Sequence, residues 1–146
     1  MEQANITTTK PTKIKLDFKE SKYATGRRKR SIAKVWVKKG SGNIHVNGLK
    51  MNEYFKRPVH QIIVTRPLEI SEVAGSYDVK CSVKGGGLSG QAGAIILGIS
   101  KALISHDENL KKNLKKDKLT TRDSRKVERK KYGHRKARRS FQFSKR

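Results

Sequence analysis

The sequence predicts a small α+β domain that carries a long basic tail at its C-terminal end. Apolar and polar residues alternate from Tyr77 to Lys84, as in a half-buried strand, and an apolar stripe with helical spacing follows. After Thr121 no hydrophobic periodicity remains. A length of 146 residues suits one domain. We therefore expect a disordered N-terminal arm over residues 1–22, a globular body over 23–120 and an extended basic tail over 121–146.

Two further strands are expected in the first half of the body. Ala33, Val35 and Val37 alternate with polar residues, and Ile44 and Val46 do so after a Gly-Ser-Gly-Asn cluster. Because this cluster favours a turn, we expect residues 32–46 to form a β-hairpin with a longer loop.

Two helical segments are expected between the hairpin and the strand that begins at Tyr77. Met51 and Tyr54 have helical spacing, and Pro58 should end that short helix, since the residue before a proline disfavours the helical conformation. The segment from Gln61 to Ile70 contains a proline, Pro67. It is expected to form a helical turn followed by an extended stretch.

The strongest helical signal follows the glycines at 85–87. Its stripe consists of Ala92, Ile95, Ile96, Ile99, Ala102 and Leu103, and we expect it to pack on the sheet. A second, polar helix is expected over residues 108–118, anchored by Leu110 and Leu114.

Cys81 is the only cysteine and lies on the apolar face of its strand. We therefore expect its thiol to be buried and structural. A single cysteine also indicates a reduced, intracellular protein without disulfides. No apolar run approaches the ~20 residues that cross a bilayer, and no signal-peptide core is visible at the N-terminus. The cytoplasm is the expected location, with an organelle as the alternative.

The charge balance predicts a polyanionic partner. Lys and Arg number 36 against 12 Asp and Glu, a net charge of +24. A compact body with that excess repels itself unless an anion neutralises it. The most basic stretches lack the apolar face that a membrane surface would require, so nucleic acid is the better partner. For a smaller excess of positive charge, the alternative to a polyanionic partner would be a charged surface that is only solvated.

Three basic clusters flank the body in sequence, at residues 27–30, 111–118 and 129–146. Ring side chains are interleaved with the last one, namely Tyr132, His134, Phe141 and Phe143. Such rings can stack on unpaired bases beside arginines that bind phosphates.

The segment Gly85-Gly86-Gly87-Leu88-Ser89-Gly90 matches the G-x-G-x-x-G motif of dinucleotide-binding enzymes. That site also needs a second parallel strand ending in an acid, whereas Asp107 and Glu108 follow a helix. Two other uses of the glycines stay open: they permit a tight turn, or they expose N–H groups to an anion such as an RNA phosphate. The histidines show no metal spacing, and we expect no metal, cofactor or catalytic triad.

Short motifs are spread over the chain from Tyr23 to Arg146. They are Tyr23-Ala24-Thr25-Gly26-Arg27-Arg28-Lys29, Gly85-Gly86-Gly87, Gly90-Gln91, Ala94, Gly98, Ser100-Lys101-Ala102-Leu103, Thr121-Arg122-Asp123, Val127-Glu128-Arg129-Lys130-Lys131 and Gln142-Phe143-Ser144-Lys145-Arg146. Together they resemble the S-nine family of small-subunit ribosomal proteins. Ser140-Phe141 departs from the dipeptide of that family, which often contains proline, and residues 1–22 lie beyond the resemblance.

The resemblance implies an α+β body of the left-handed β-α-β type, like the second domain of ribosomal protein S-five, in the head of the small subunit. It also implies that the tail passes through ribosomal RNA and reaches peptidyl-site transfer RNA with Ser144, Lys145 and Arg146. Neighbouring head proteins would be further partners. The expected contacts to ribosomal RNA are Arg27, Arg28, Lys29, Arg30, Gly86, Gly87, Ser89, Gly90, Gln91, Arg122, Arg125, Arg129, Lys130, Lys131, Arg135, Lys136, Arg138 and Arg139.

We therefore expect a structural constituent of the small subunit that supports translation and is not an enzyme. Two alternatives of other classes stay open, a free nucleic-acid-binding module and the dinucleotide enzyme. The sequence does not separate a bacterial from an organellar ribosome.

Overall fold

A mixed sheet with helices packed on it makes up the part of the chain that the structure describes. The computed structural model describes residues 19–144. Along the chain the elements are β1 (Lys22–Arg28), β2 (Ser31–Lys39), β3 (Ile44–Val46), β4 (Leu49–Lys50), α1 (Met51–Tyr54), α2 (Pro58–Ile70), β5 (Tyr77–Lys84), α3 (Leu88–His106) and α4 (Leu110–Lys116). They form one small α+β domain, which confirms the predicted class.

The strand order of the sheet is β1-β2-β5-β3-β4. β3 pairs with β5 in parallel, and the other neighbours pair antiparallel. The predicted hairpin over residues 32–46 is wrong, because β5 lies between β2 and β3. Alternation identifies a strand but not its partner, and β5 buries four alternate side chains, Tyr77, Val79, Cys81 and Val83, which suits a central position. The observed hairpin joins β1 to β2 through Lys29 and Arg30.

The core lies between one face of the sheet and the helices. Val35 and Val37 of β2 and Val79 of β5 are fully buried there. Cys81 is buried beside them, and burial raises the pKa of its thiol, which confirms a structural rather than a reactive cysteine. By length and composition α3 could cross a membrane, but it is the core helix of this domain and two-thirds of it is buried.

The helix α3 contacts β1 backbone to backbone. A Cβ atom on Gly26 of β1 would overlap the carbonyl oxygen of Ala94 and lie 2.6 Å from the nitrogen of Gly98. The helix is therefore buried on almost its whole circumference, a wider surface than the predicted stripe. Ile95 and Ile99 are fully buried, whereas Ile96, expected on the stripe, is partly exposed.

The segment before β5 differs from its expectation, since α2 is one helix from Pro58 to Ile70 with Pro67 inside it. His60, Val64, Pro67 and Leu68 form its buried face. Packing of this face outweighs the hydrogen bond that Pro67 removes. The short helix α1 ends at Tyr54, and Pro58 begins α2 rather than ending α1 as predicted.

The helix α4 is shorter than the predicted 108–118. Its expected anchors are confirmed, because Leu114 is fully buried and Leu110 packs against the core. After α4 the described chain forms only one isolated bridge, between His134 and Ser140. The division into arm, body and tail stays a prediction. Residues 1–18 of the arm, with Lys145 and Arg146 of the tail, lie outside the described residues.

Candidate nucleic-acid interface

Three segments that are distant in sequence line one open groove of about 740 Å³. They are the turn between β1 and β2, the glycine turn after β5, and residues 126–130 of the tail. The groove brings together seven of the predicted RNA-binding residues, Lys29, Arg30, Gly86, Gly87, Gly90, Arg129 and Lys130. Arg27 and Arg28 line a smaller cleft beside it, where the base of the tail crosses α3.

The glycine turn packs directly on the β1–β2 turn. Gly85 and Gly86 have positive φ angles of 74° and 62°, which other residues rarely adopt. A Cβ on Gly85 would lie 2.6 Å from the carbonyl oxygen of Arg30, and one on Gly86 would overlap the hydroxyl of Ser31. The tight-turn use of the glycines is therefore present in the structure.

The start of α3 faces this groove. Gly87 is its N-cap, with extended backbone and no side-chain cap. Ser89 lies exposed in the first turn, while Gly90 is buried against Ser31. An uncapped first turn leaves backbone N–H groups available to an anion. The anion-binding use of the glycines thus stays a prediction beside their structural use.

Gln91 supports the glycine turn from within. Its amide nitrogen donates to the carbonyl oxygen of Gly85 at 3.2 Å, and its carbonyl oxygen accepts from the hydroxyl of Tyr54 at 2.8 Å. Both ends of this side chain are engaged by the protein. Gln91 therefore positions the turn, and the direct RNA contact predicted for it stays a prediction.

Asp123 fixes the base of the tail to the body. Its carboxylate lies 3.3 Å from the guanidinium of Arg28 and accepts a bidentate pair of hydrogen bonds from Arg125. The hydrogen bonds from Arg125, followed by its charge and that of Arg28, hold the pKa of Asp123 well below its usual value. The same pair raises the pKa of Arg125. Of the two predicted RNA contacts involved, Arg28 joins the base of the tail to the body, and Arg125 makes a local pair with Asp123.

Glu128 bends the tail back on itself. It accepts hydrogen bonds from Lys131 at 2.8 Å and Arg138 at 2.9 Å, and these bonds lower its pKa. Within the bend the backbone N–H of Arg135 donates to the carbonyl oxygen of Arg139 at 2.8 Å. The guanidinium of Arg135 also lies 5.5 Å from the ring centre of Phe141. Residues 128–141 therefore form a local bend.

The other predicted cations are exposed and, within residues 19–144, form no ion pair. They are Arg27, Lys29, Arg30, Arg122, Arg129, Lys130, Arg135, Lys136 and Arg139. Two rings of the tail are also free for stacking, since Tyr132 is fully exposed and Phe143 is 84% exposed. Of the predicted transfer RNA contacts, Ser144 is exposed, and Lys145 and Arg146 lie outside the described residues.

The groove contains residues that sequence reasoning missed. Ser31 lies beneath the glycine turn, and the side-chain hydroxyl is buried without a hydrogen-bond partner. Lys126 and Val127 line the groove from the tail, and the basic composition of that segment was the available signal for Lys126. No local pattern marks Ser31, because its place depends on the approach of Gly86 from another strand.

Comparison with known families gives one match that spans most of the chain. A family model described as ribosomal protein S9/S16 matches residues 26–146. The match therefore includes the β1–β2 turn, the glycine turn and the whole tail, which are the three segments of the groove. In the described part of the chain, no three His, Cys, Asp or Glu side chains are grouped to hold a metal ion.

Proposed function

The chain belongs to the ribosomal protein S9/S16 family, and on that premise we propose that it acts in the head of the small ribosomal subunit. This family consists of structural, non-enzymatic proteins of the ribosome, which bind ribosomal RNA. Ribosomal RNA and other ribosomal proteins are accordingly its partners. The finer assignment, to the small subunit and its head, rests on the motifs of residues 23–146 and is our proposal.

One observation carries the RNA-binding role of this surface. Three basic or glycine-rich segments converge on one groove, and the cations Lys29, Arg30, Arg129 and Lys130 meet there. An RNA backbone carries one negative charge per nucleotide, so cations along a groove can neutralise consecutive phosphates and release their counterions. The protein contributes charge and shape, and catalyses no step.

The turn and the tail have different roles in this mechanism. The β1–β2 turn and the glycine turn are fixed by the sheet and by α3, so they present a preformed phosphate site. The tail lacks buried apolar residues beyond Leu119, and it gains order from RNA rather than from a core. We assign the docking of the body to the two turns and the extended RNA contact to the tail.

The tip of the tail is proposed to contact transfer RNA in the peptidyl site. Ser144, Lys145 and Arg146 end a chain segment that carries many cations and no acid after Glu128. Two terminal cations at the end of such a segment suit a phosphate backbone rather than a protein core. The proposal also includes the left-handed β-α-β arrangement of the body and a cytoplasmic ribosome.

A free nucleic-acid-binding module is the alternative of another class, and sedimentation separates the two. Extracts are centrifuged through sucrose gradients after a wash in high salt, and the chain is followed by immunoblot. A structural component should co-sediment in stoichiometric amount with the small subunit. Recovery at the top of the gradient, or with the large subunit, would overturn the proposal.

Deletion of residues 144–146 tests the transfer RNA contact. Purified subunits carrying the truncated chain should bind peptidyl-site transfer RNA more weakly, with incorporation of the protein nearly unchanged. Each lost phosphate contact should also reduce the slope of log affinity against log salt by about 0.7 to 0.9. Filter binding at several salt concentrations measures both quantities. Unchanged affinity and slope would remove the tip from the mechanism, and failed incorporation would assign it to assembly.

A further inference from the structure

Among the described residues, the side chains on one face of the sheet are exposed or partly exposed. The buried residues of β2, Ala33, Val35 and Val37, all point to the helices, and the residues between them are exposed or partly exposed. The strand β5 alternates in the same way. Because side chains of a strand alternate between the two faces, the intervening positions form a second surface, which we call the open sheet face.

A row of aromatic and basic side chains crosses the open sheet face. Tyr23 pairs in register with Trp36, Trp36 with Lys80, and Lys80 with His45, which in turn pairs with Lys50. The rings of Tyr23 and Trp36 lie 5.3 Å apart between centroids, and the ammonium of Lys80 is 5.9 Å from the Trp36 ring. Tyr23 is 48% exposed. Two aromatic rings therefore lie side by side at one end of the row, and Lys80, His45 and Lys50 continue it across the sheet.

The rest of this face is basic as well. Lys34 lies one row away, and Arg27 and Lys84 flank Ile32 in the next row. Lys84 directly precedes the glycine turn, and Arg27 lies next to the last residue of β1 before the β1–β2 turn. The open sheet face is thus continuous with the groove that those two turns line.

The five strands contain a single acidic residue, Asp78, and it is already engaged. Its carboxylate accepts hydrogen bonds from the backbone N–H groups of Asn43 at 2.8 Å and Ser41 at 3.0 Å. Burial alone would raise the pKa of Asp78, but these bonds outweigh it and the pKa is lowered. Asp78 therefore holds the loop after β2, and it also pairs in register with Lys38. Lys34 and Lys84 pair with uncharged residues of the neighbouring strands.

We propose that the open sheet face is an RNA-binding surface on which unpaired bases stack against Tyr23 and Trp36, while Lys34 and Lys84 neutralise the adjoining phosphates. A sheet with exposed aromatic side chains is a platform on which single-stranded RNA stacks in other folds. A protein partner fits less well, since protein interfaces have an apolar centre depleted of charge. This inference rests on the proposed binding of ribosomal RNA and extends it to residues outside the groove.

Trp36 is the only tryptophan of the chain, so its fluorescence reports on this face alone. The full-length protein is titrated with small-subunit ribosomal RNA while emission and quenching by acrylamide are followed. Emission should fall as RNA binds, and acrylamide should reach Trp36 in the free protein but not in the complex. Saturating RNA binding without change in either signal would overturn the inference and leave the proposed function intact.

Two other outcomes of this titration are also decisive. If Trp36 is shielded from acrylamide before RNA is added, another part of the chain covers the face and the inference is wrong. If the wild-type protein binds no ribosomal RNA by filter assay, the proposed function fails, and the inference fails with it.

Matched variants separate this face from general basicity. Lys34→Gln with Lys84→Gln removes two charges from the face, and Lys56→Gln with Lys101→Gln removes two from exposed positions near the helices. The first pair should lower RNA affinity more and reduce the salt slope by about 0.7 to 0.9 per contact. The second pair should leave the slope closer to that of the wild type. Equal effects of the two pairs would contradict the proposal.

Trp36→Leu tests the stacking itself. Leucine keeps an apolar side chain at this partly exposed strand position but cannot stack on a base. Affinity should fall about 5-fold or more, the lower end of the loss of one base stack. Urea melts followed by circular dichroism establish that the variant folds. A folded variant with wild-type affinity would remove stacking from the mechanism.

Discussion

The contact between β1 and α3 can be tested with the smallest possible addition, the methyl group of Gly26→Ala. That methyl would overlap the carbonyl oxygen of Ala94 and lie 2.6 Å from the nitrogen of Gly98. Ordinary contact begins at 3.4 Å, so β1 or α3 would have to retreat by at least 0.8 Å. Both neighbouring atoms belong to the helix backbone and cannot rotate away.

Overpacking of this kind costs about 1 to 3 kcal/mol. The upper half of that range is expected here, because the clash is with backbone and because β1 is an edge strand that can be displaced as a unit. In urea, with a dependence of roughly 2 kcal/mol per molar, the midpoint should fall by about 1 M. Trp36 fluorescence follows the transition, since Trp36 pairs with Tyr23 of β1.

Gly87→Ala is the matched control. No atom lies within 4 Å of a Cβ at Gly87, and its backbone is extended with a φ of −110°. Its free energy of unfolding should change by less than about 1 kcal/mol. A neutral Gly26→Ala, or equal losses for the two variants, would refute the close packing of β1 on α3.

Two further perturbations test the core and the base of the tail. Ile99→Ala should cost about 2 to 5 kcal/mol in urea melts, whereas Ile96→Ala should cost less because Ile96 is partly exposed; equal costs would contradict the orientation of α3. Asp123→Ala should speed amide exchange at Arg125, whose backbone N–H donates to the Asp123 carboxylate at 3.0 Å. Unchanged exchange would argue against this hydrogen bond. The pKa of Asp123 is lowered in the folded protein, so its contact with Arg28 should persist at every pH above about 4. The contact should be lost only as the pH falls through the lowered pKa. An NMR titration of the Asp123 carboxyl group measures this pKa.

The sequence predicted those elements whose apolar pattern is strong. The strand Tyr77–Lys84 has the predicted bounds, and α3 occupies the predicted place after the glycines. The edge strand β1 was not identified as a strand, because the residues it turns to α3 are Ala24 and Gly26. Such small residues leave no hydrophobic alternation, yet they are required where a helix backbone approaches this closely.

The pairing of the strands and the partners of individual charged residues could not be predicted from the sequence, for a different reason. Pairing partners such as β3 and β5 are set by the crossover of α1 and α2, whose path no local pattern records. The ion pair between Arg28 and Asp123 likewise joins opposite ends of the body. Basic composition predicted an RNA-binding tail, but it could not tell a cation that faces solvent from one that holds the tail in place.

The two tail acids explain how a strongly basic segment can be positioned without being neutralised. Asp123 and Glu128 each engage two cations, and the pairs of Glu128, which form the bend, are more exposed than the pair of Asp123 with Arg28. Exposed ion pairs are weak, because water and salt screen them, so the pairs of Glu128 do not hold the bend against a denser anion. In the proposed complex, the many phosphates of ribosomal RNA would compete for the same guanidinium groups, and Arg125 and Arg138 would exchange a carboxylate for a phosphate at small cost. We therefore expect the acids to guide the free tail across the groove and the RNA to determine its bound path.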